Sequence, residues 1–180
     1  MGAVADLTFG EAIGTVCAVF TAAVSAYVVW RFVHLLGVFG FLLAHGISAG
    51  VALKLRKERD PARIEALLQL SGSSVPALYV SFVVLLAGGI GAGFVTAAWS
   101  RTWIWVSIGI LAAILAVMWA VAGPYYRRVR TIVQAMVGGS EAVTPEQLDR
   151  VLRSPAALWN AILGFAGLLA ILYLMVFRPF

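Results

Sequence analysis

Apolar residues run through this chain in blocks of roughly 20, the length that crosses a hydrocarbon core of about 30 Å as an α-helix. Shorter polar stretches separate the blocks and hold most of the charged residues. Within a block, apolar and polar residues do not alternate as they would in a membrane barrel. The pattern predicts an all-α, polytopic four-helix bundle, with membrane spans at about 27–53, 76–99, 103–123 and 156–177.

Residues 9–25 run into the first span without a turn signal. One helix from there to Leu55 would be about 70 Å long, which is too long for a single crossing. We therefore expect a bend near Ser25, with residues 9–25 forming a short helix at the interface or against a neighbour. A fifth span is the alternative, although the sequence VWRF at 29–32 contains none of the residues that favour a turn.

Basic residues predict the orientation of the spans, because they collect on the cytoplasmic side of membrane proteins. One cluster follows the first span and another follows the third. With Arg150 and Arg153, the two loops predicted to be cytoplasmic hold ten of the thirteen basic residues. Both termini are therefore expected on the outer side. The other eight basic residues of these two loops are Lys54, Arg56, Lys57, Arg59, Arg63, Arg127, Arg128 and Arg130.

Capping signals predict helices within these loops. Asp60 followed by Pro61 predicts a short surface helix over 61–70, ended by the sequence SGSS at 71–74. The segment 124–155 is expected to be a cytoplasmic helical loop, because Thr144 and Gln147 have the spacing of a capping box.

Composition agrees with a membrane protein. The chain is 62% hydrophobic with a mean hydropathy of +0.98, and only 12% of its residues are charged, against about 25% in soluble proteins. Its net charge of +5 does not indicate nucleic acid, since the basic residues adjoin apolar blocks, where they orient helices and meet anionic lipid. Cys17 is the single cysteine, so one chain contains no disulfide and no CxxC site.

The two histidines are the clearest candidates for chemistry, because ionisable groups inside a membrane are costly. His34 and His45 are eleven residues apart in the first span, within about 20° of one helix face and about 16 Å apart along its axis. Two imidazoles at two depths fit axial ligands of haem b in an electron path. The plainer interpretation is that each imidazole hydrogen-bonds across a helix interface.

Other residues complete the predicted haem site. Gly37 would let a flat macrocycle approach the backbone, Phe41 could stack on it, and Arg31 could pair with a propionate. The sixth iron ligand is open, because the chain has no third histidine. Met118 and Met175 are expected near the depths of His45 and His34, a two-fold homodimer is a second route, and five-coordinate iron is a third.

The glycine-rich run at 88–93 lies inside a span and has no following lysine, so it predicts close helix packing through Gly89 and Gly93 rather than a phosphate site. Aromatic residues at span ends, including Tyr125, are expected in any membrane protein. No nucleophile with a base and no paired carboxylates are present, so an electron carrier is favoured over an enzyme.

The stretch WRFVHLLG at 30–37, with His45 and the segment 54–61 after it, resembles a family of small predicted bacterial membrane proteins of unknown function. Its opening is in turn similar to the first helix of CopD-type copper domains and of HemJ-type oxidases that bind haem b. The resemblance implies a bacterial inner-membrane protein, with His34 matching the oxidase histidine. The oxidase's functional lysine has no counterpart, because the only lysines are Lys54 and Lys57 in a loop.

Three hypotheses follow. The first is a haem b protein of the bacterial cell membrane that transfers electrons. The second is an accessory subunit of a larger membrane complex without a cofactor, docked through residues 9–25 or assembled as a homo-oligomer. The third is copper or small-solute transport, for which soft ligands at the outer face are few.

Overall fold

The computed structural model describes residues 9–138 and 144–179, and all regular structure within them is helical. A 3₁₀ turn separates α2 from α3, and a π-helical turn joins α3 to α4. The elements in chain order are α1 (Phe9–Leu55), α2 (Pro61–Val95), the 3₁₀ turn (Ala98–Ser100), α3 (Thr102–Val117), the π turn (Met118–Ala122), α4 (Gly123–Val137), α5 (Pro145–Leu152) and α6 (Pro155–Phe177).

Four helical stretches are long and apolar enough to cross a membrane, which confirms the predicted all-α fold with four spans. Many large apolar side chains point away from the bundle and are exposed, among them Phe20, Phe94 and Trp119. Lipid is the environment in which such a surface is stable, since the backbone polar groups are satisfied inside the helices. The four stretches are Ala12–Leu55, Pro61–Val95, Thr102–Val137 and Glu146–Phe177.

The predicted helix starts are confirmed. Asp60 accepts a hydrogen bond from the backbone N–H of Ala62 (3.0 Å) at the start of α2. Thr144 and Gln147 form the predicted capping box at the start of α5. Ser154 caps α6 in the same way. Each cap satisfies a backbone N–H that the first helical turn leaves free.

The bend expected near Ser25 does not end the first helix. α1 continues through this residue, so residues 9–25 are the first part of a 47-residue helix rather than a separate short one. The hydroxyl of Ser25 donates to the carbonyl of Thr21 (2.9 Å), and the hydroxyl of Thr21 donates to that of Cys17 (2.8 Å). These polar side chains are satisfied along the helix itself and do not interrupt it.

The turn expected at 71–74 was also wrong. α2 continues through these residues and through Pro76. Ser73 donates to the carbonyl of Leu70 (2.9 Å) and Ser74 to that of Ser71 (2.8 Å), so both hydroxyls bond back into the preceding helical turn. Pro76 removes only one N–H from the ladder, and packing against α1 holds the helix together.

The third apolar block also extends further than its hydropathy predicted. Helix continues through the π turn and α4 to Val137, well beyond residue 123. Part of the expected helical loop 124–155 is therefore an extension of this long helix, and α5 forms a short helix after it. Residues 139–143 lie outside the described residues.

The helices pack around two apolar centres. α1 makes its most extensive contacts with α2, and α3 with α6. One centre, at mid-bundle, is formed by buried residues that include Phe41, Leu85 and Leu111. The other includes Leu55, Val129 and other residues from α1, α2, α4, α5 and α6. We call this second region the basic end, because the loop 56–60 and α5 lie there.

Candidate functional site

A cavity of about 650 Å³ lies between α1, α2, α4 and α6, close to the basic end. Its volume is within the range of about 300–1,000 Å³ that is usual for small-molecule and cofactor sites. Most of its wall is apolar, and a few polar side chains converge on it: His45, Ser48, Ser71, Tyr125, Tyr126 and Asn160.

His45 is the most deeply buried of these polar residues, with 2% of its surface exposed. Its ring stacks on Phe41 (centroids 6.4 Å apart, planes 9° apart) and meets the ring of Phe165 edge-on at 5.0 Å. A Cβ at position 164 would lie 2.5 Å from the His45 Nε2 atom, so Gly164 gives the imidazole its room beside α6. Neither ring nitrogen has a hydrogen-bond partner among the described residues.

Two further side chains at the cavity have unpaired polar atoms. The hydroxyl of Tyr125 and the Oδ1 atom of Asn160 are buried and have no partner within the described ranges. Leaving a buried donor or acceptor unsatisfied costs about 1–3 kcal/mol. Three side chains that share one cavity and lack partners are best explained by a ligand or ordered water that completes their hydrogen bonds.

Hydroxyl groups join the helices at one side of the cavity. Tyr126 on α4 donates to the backbone carbonyl of Ser48 on α1 (2.8 Å). The Ser48 hydroxyl lies 3.3 Å from that of Ser74 and 3.5 Å from that of Ser71, both on α2. These contacts connect α1, α2 and α4, and they hold this wall of the cavity in place.

The π turn at Met118–Ala122 borders the same cavity. Met118, Trp119 and Ala122 all contribute to its lining. Single π-helical turns within α-helices are rare and occur frequently at functional sites. Its position beside the unpaired polar groups marks this region as the best candidate site in the described part of the chain.

Two arginines stand at the edge of the cavity on α4. Arg127 and Arg130 line it, whereas Arg128 between them does not. Among the described residues neither Arg127 nor Arg130 has a carboxylate within 4.0 Å. Arg59, by contrast, pairs with Asp149 at 2.6 Å.

His34 has a different environment. Its Nδ1 atom lies 2.8 Å from the backbone carbonyl of Leu85 on α2. A carbonyl can only accept, so Nδ1 carries the proton and donates it. Gly88 packs directly against the backbone of His34, and His34 does not line the cavity. This histidine joins two helices, as the plainer interpretation of the sequence expected.

The family model described as "Predicted integral membrane protein (DUF2269)" matches residues 28–179. The chain belongs to this family. The match includes both histidines and all of the cavity residues, and it begins after residues 9–25. No curated protein and no solved structure matches the chain. The resemblance to small membrane proteins of unknown function is confirmed in this coarse form, and nothing supports a relationship to CopD-type or HemJ-type proteins.

In this DUF2269 member, the residues expected around His45 come together only in part. Phe41 stacks on His45, and Met118 lines the cavity that His45 lines. Gly37 does not face open space, because a Cβ there would overlap the backbone of Leu85 on α2. The backbone of α2 occupies the space in which a macrocycle was predicted to lie.

The residues expected around His34 lie apart from the cavity at His45. Arg31 is exposed on α1, and Met175 is half-buried on α6. Neither lines the cavity at His45. No group of three or more His, Cys, Asp or Glu side chains in the described ranges is placed to hold a metal ion, so copper transport gains no ligand cluster.

Sequence reasoning did not assign Tyr125, Tyr126, Arg127 or Arg130 to the site, although all four line the cavity. Tyr125 was assigned to an aromatic belt, and Arg127 and Arg130 to a topological signal. A spacing of three places Arg127 and Arg130 on one face of α4, and the sequence contained that signal. Asn160 also lines the cavity, and its neighbours on other helices were not predictable.

Proposed function

We propose that this chain is a haem b protein that transfers electrons within or across the membrane, with the haem in the cavity at His45. The observation that carries the proposal is the buried imidazole of His45, which lines this cavity and has no partner for either nitrogen within the described ranges. Haem iron would supply one-electron chemistry there, and imidazole is its commonest protein ligand.

The chemistry of the residues present fits this group. His45 provides a nitrogen donor, and Met118 provides a thioether in the same cavity. The apolar wall suits a macrocycle, and the two arginines suit its carboxylates. Because Nε2 faces Gly164, an iron ligand at this atom requires that the ring turn from α6 toward the cavity. His34 does not line this cavity, which favours one haem level rather than two.

The chain's own residues would set the properties of the site. Phe41 and Phe165 pack on the imidazole and exclude water from it. A dry, apolar surrounding favours the less charged state of a redox centre. The hydroxyl of Tyr125 and the amide of Asn160 would orient a bound group by hydrogen bonds.

The test is a dithionite-reduced minus oxidised absorption spectrum of protein purified from haem-replete cells, with a pyridine haemochrome assay. We expect a sharp α-band and one haem per chain. Half a haem per chain would favour a ligand shared across a two-fold dimer, and two would favour an additional level at His34. A colourless protein would contradict the proposal.

We also propose that the chain spans the bacterial inner membrane with both termini outside. The unequal distribution of basic residues supports this orientation. Alkaline phosphatase fused after Arg178 should then be active, and green fluorescent protein fused there should be dark. Insertion of either reporter after Arg59 should give the opposite result. A fluorescent fusion at the carboxyl end would overturn the orientation.

A second candidate function is an accessory subunit of a larger membrane complex. The observation in its favour is the first part of α1, where Val16, Val19 and Phe20 are exposed and which lies outside the family match. Removing residues 1–25 should then reduce the size of the native complex and leave the haem content unchanged. An unchanged subunit composition in native mass spectrometry would exclude docking through this segment.

A further inference from the structure

The cavity has a charged side as well as a buried polar interior. Arg127 and Arg130 are three positions apart, which places them on the same face of α4, and both line the cavity. Arg128 lies on a different face and does not line it. The two guanidinium groups are therefore positioned at the cavity by the helix that contains them.

Both guanidinium groups lie beside glycines. A Cβ at Gly72 on α2 would lie 3.4 Å from an Nη atom of Arg130, so this side chain reaches across to the facing helix. A Cβ at Gly123 would lie 3.4 Å from an Nη atom of Arg127, which follows it by one turn on α4 itself. Arg130 therefore borders the space between α2 and α4, and Arg127 lies along α4 at the cavity.

These charges lack partners in the described part of the protein. Arg59, Arg63 and Arg153 each have a carboxylate oxygen within 3.4 Å, but Arg127 and Arg130 have none within 4.0 Å. Glu65 shares a neighbouring cavity of about 300 Å³ with Arg130, and the two do not form an ion pair. A pair of free guanidinium groups beside a cavity is suited to an anion.

The interior of the cavity also points to a ligand. His45 is 2% exposed and Tyr125 is 6% exposed, and the polar atoms of both rings are unpaired among the described residues. A molecule that satisfies the interior and the edge together has an apolar body, polar contacts within the bundle and an acidic end.

We infer that Arg127 and Arg130 form a carboxylate-binding subsite, so that the cavity takes a planar amphipathic acid with its acidic end at α4 and its apolar body toward His45. The inference rests on the proposed function in that haem propionates would be the acidic end. It also assigns an orientation, because the carboxylates point toward the basic end rather than toward Arg31.

The test uses metal-free protoporphyrin IX and its dimethyl ester, which differ only in the two carboxylates. Binding to the full chain in phosphatidylcholine nanodiscs is followed by quenching of tryptophan fluorescence, since Trp119 borders the cavity. These nanodiscs contain no anionic lipid that could occupy the arginines. We expect the acid to bind the wild type about tenfold or more tightly than the ester.

Substitutions identify the residues responsible. The double variant Arg127→Gln with Arg130→Gln should lose that tenfold preference and bind the ester as the wild type does. Arg128→Gln removes one charge from the same helix and should keep the preference. Circular dichroism of each variant checks that the helices are retained.

Each outcome decides the inference. Equal binding of acid and ester by the wild type, loss of the preference in Arg128→Gln, or its retention in the double variant would overturn it, as would binding of neither porphyrin. A wild type that prefers the acid but contains no haem when purified would support the subsite and contradict the proposed function.

Discussion

Gly88→Ala should destabilise the bundle by about 3 kcal/mol, the upper end of the cost of overpacking a tight core. A Cβ at this position would overlap the backbone of His34 on α1, where no side chain can move aside. The neighbouring contact is equally close, because a Cβ at Gly37 would overlap the backbone of Leu85. The two helices must therefore separate, and the His34 to Leu85 hydrogen bond lengthens or breaks.

The measurement is the midpoint of thermal unfolding in detergent. Circular dichroism and size-exclusion chromatography monitor the unfolding. Gly46→Ala on α1 and Gly109→Ala on α3 are matched controls, since a Cβ at either position meets nothing within 4 Å. Both controls should unfold close to the wild type. A Gly88→Ala variant as stable as these controls would show that the α1–α2 contact is looser than described.

His45→Leu should abolish haem binding while the protein without haem remains as stable as before or becomes more stable. Leucine keeps apolar contact with Phe41 and Phe165 and removes two ring nitrogens that lack partners in the described ranges. Removing an unsatisfied buried polar group relieves a cost of about 1–3 kcal/mol. If His45 served only for packing, the substitution would change the stability of the protein and not its haem content.

His34→Leu is the matched variant. It removes the hydrogen bond to Leu85, which should cost roughly 0.6–2 kcal/mol in a membrane bundle, and it should leave the haem content unchanged. Haem per chain by pyridine haemochrome and the unfolding midpoint are measured for both variants. If His34→Leu lost haem and His45→Leu retained it, His34 rather than His45 would be the haem ligand.

The positions of the helices were largely readable from the sequence because they depend on local interactions. Apolar blocks indicated the four long helices, and Asp60 and Thr144 correctly marked two helix starts. The errors were also local in origin. A turn was predicted at 71–74 and a bend near Ser25, whereas the hydroxyls of Ser25, Ser73 and Ser74 bond to carbonyls of the preceding turn and the helix continues.

The candidate site was only half predictable. His45, Phe41 and Met118 were selected from spacing and depth; His45 and Met118 line one cavity, and Phe41 stacks on the His45 ring. The glycine run was correctly assigned to close packing, although Gly88 rather than Gly89 or Gly93 packs directly on the backbone of α1. The partners of each residue lie on other helices, and helical periodicity contains no information about which faces meet.

The sequence by itself determined the membrane environment, the all-α class and the number of long apolar helices, because hydropathy and capping act over a few residues. Only the tertiary structure decided that the two histidines differ. His34 meets a carbonyl 51 positions away and joins two helices, whereas His45 meets a cavity bordered by Tyr125, Asn160 and two arginines. That difference depends on which helix faces pack together, and long-range packing decides it.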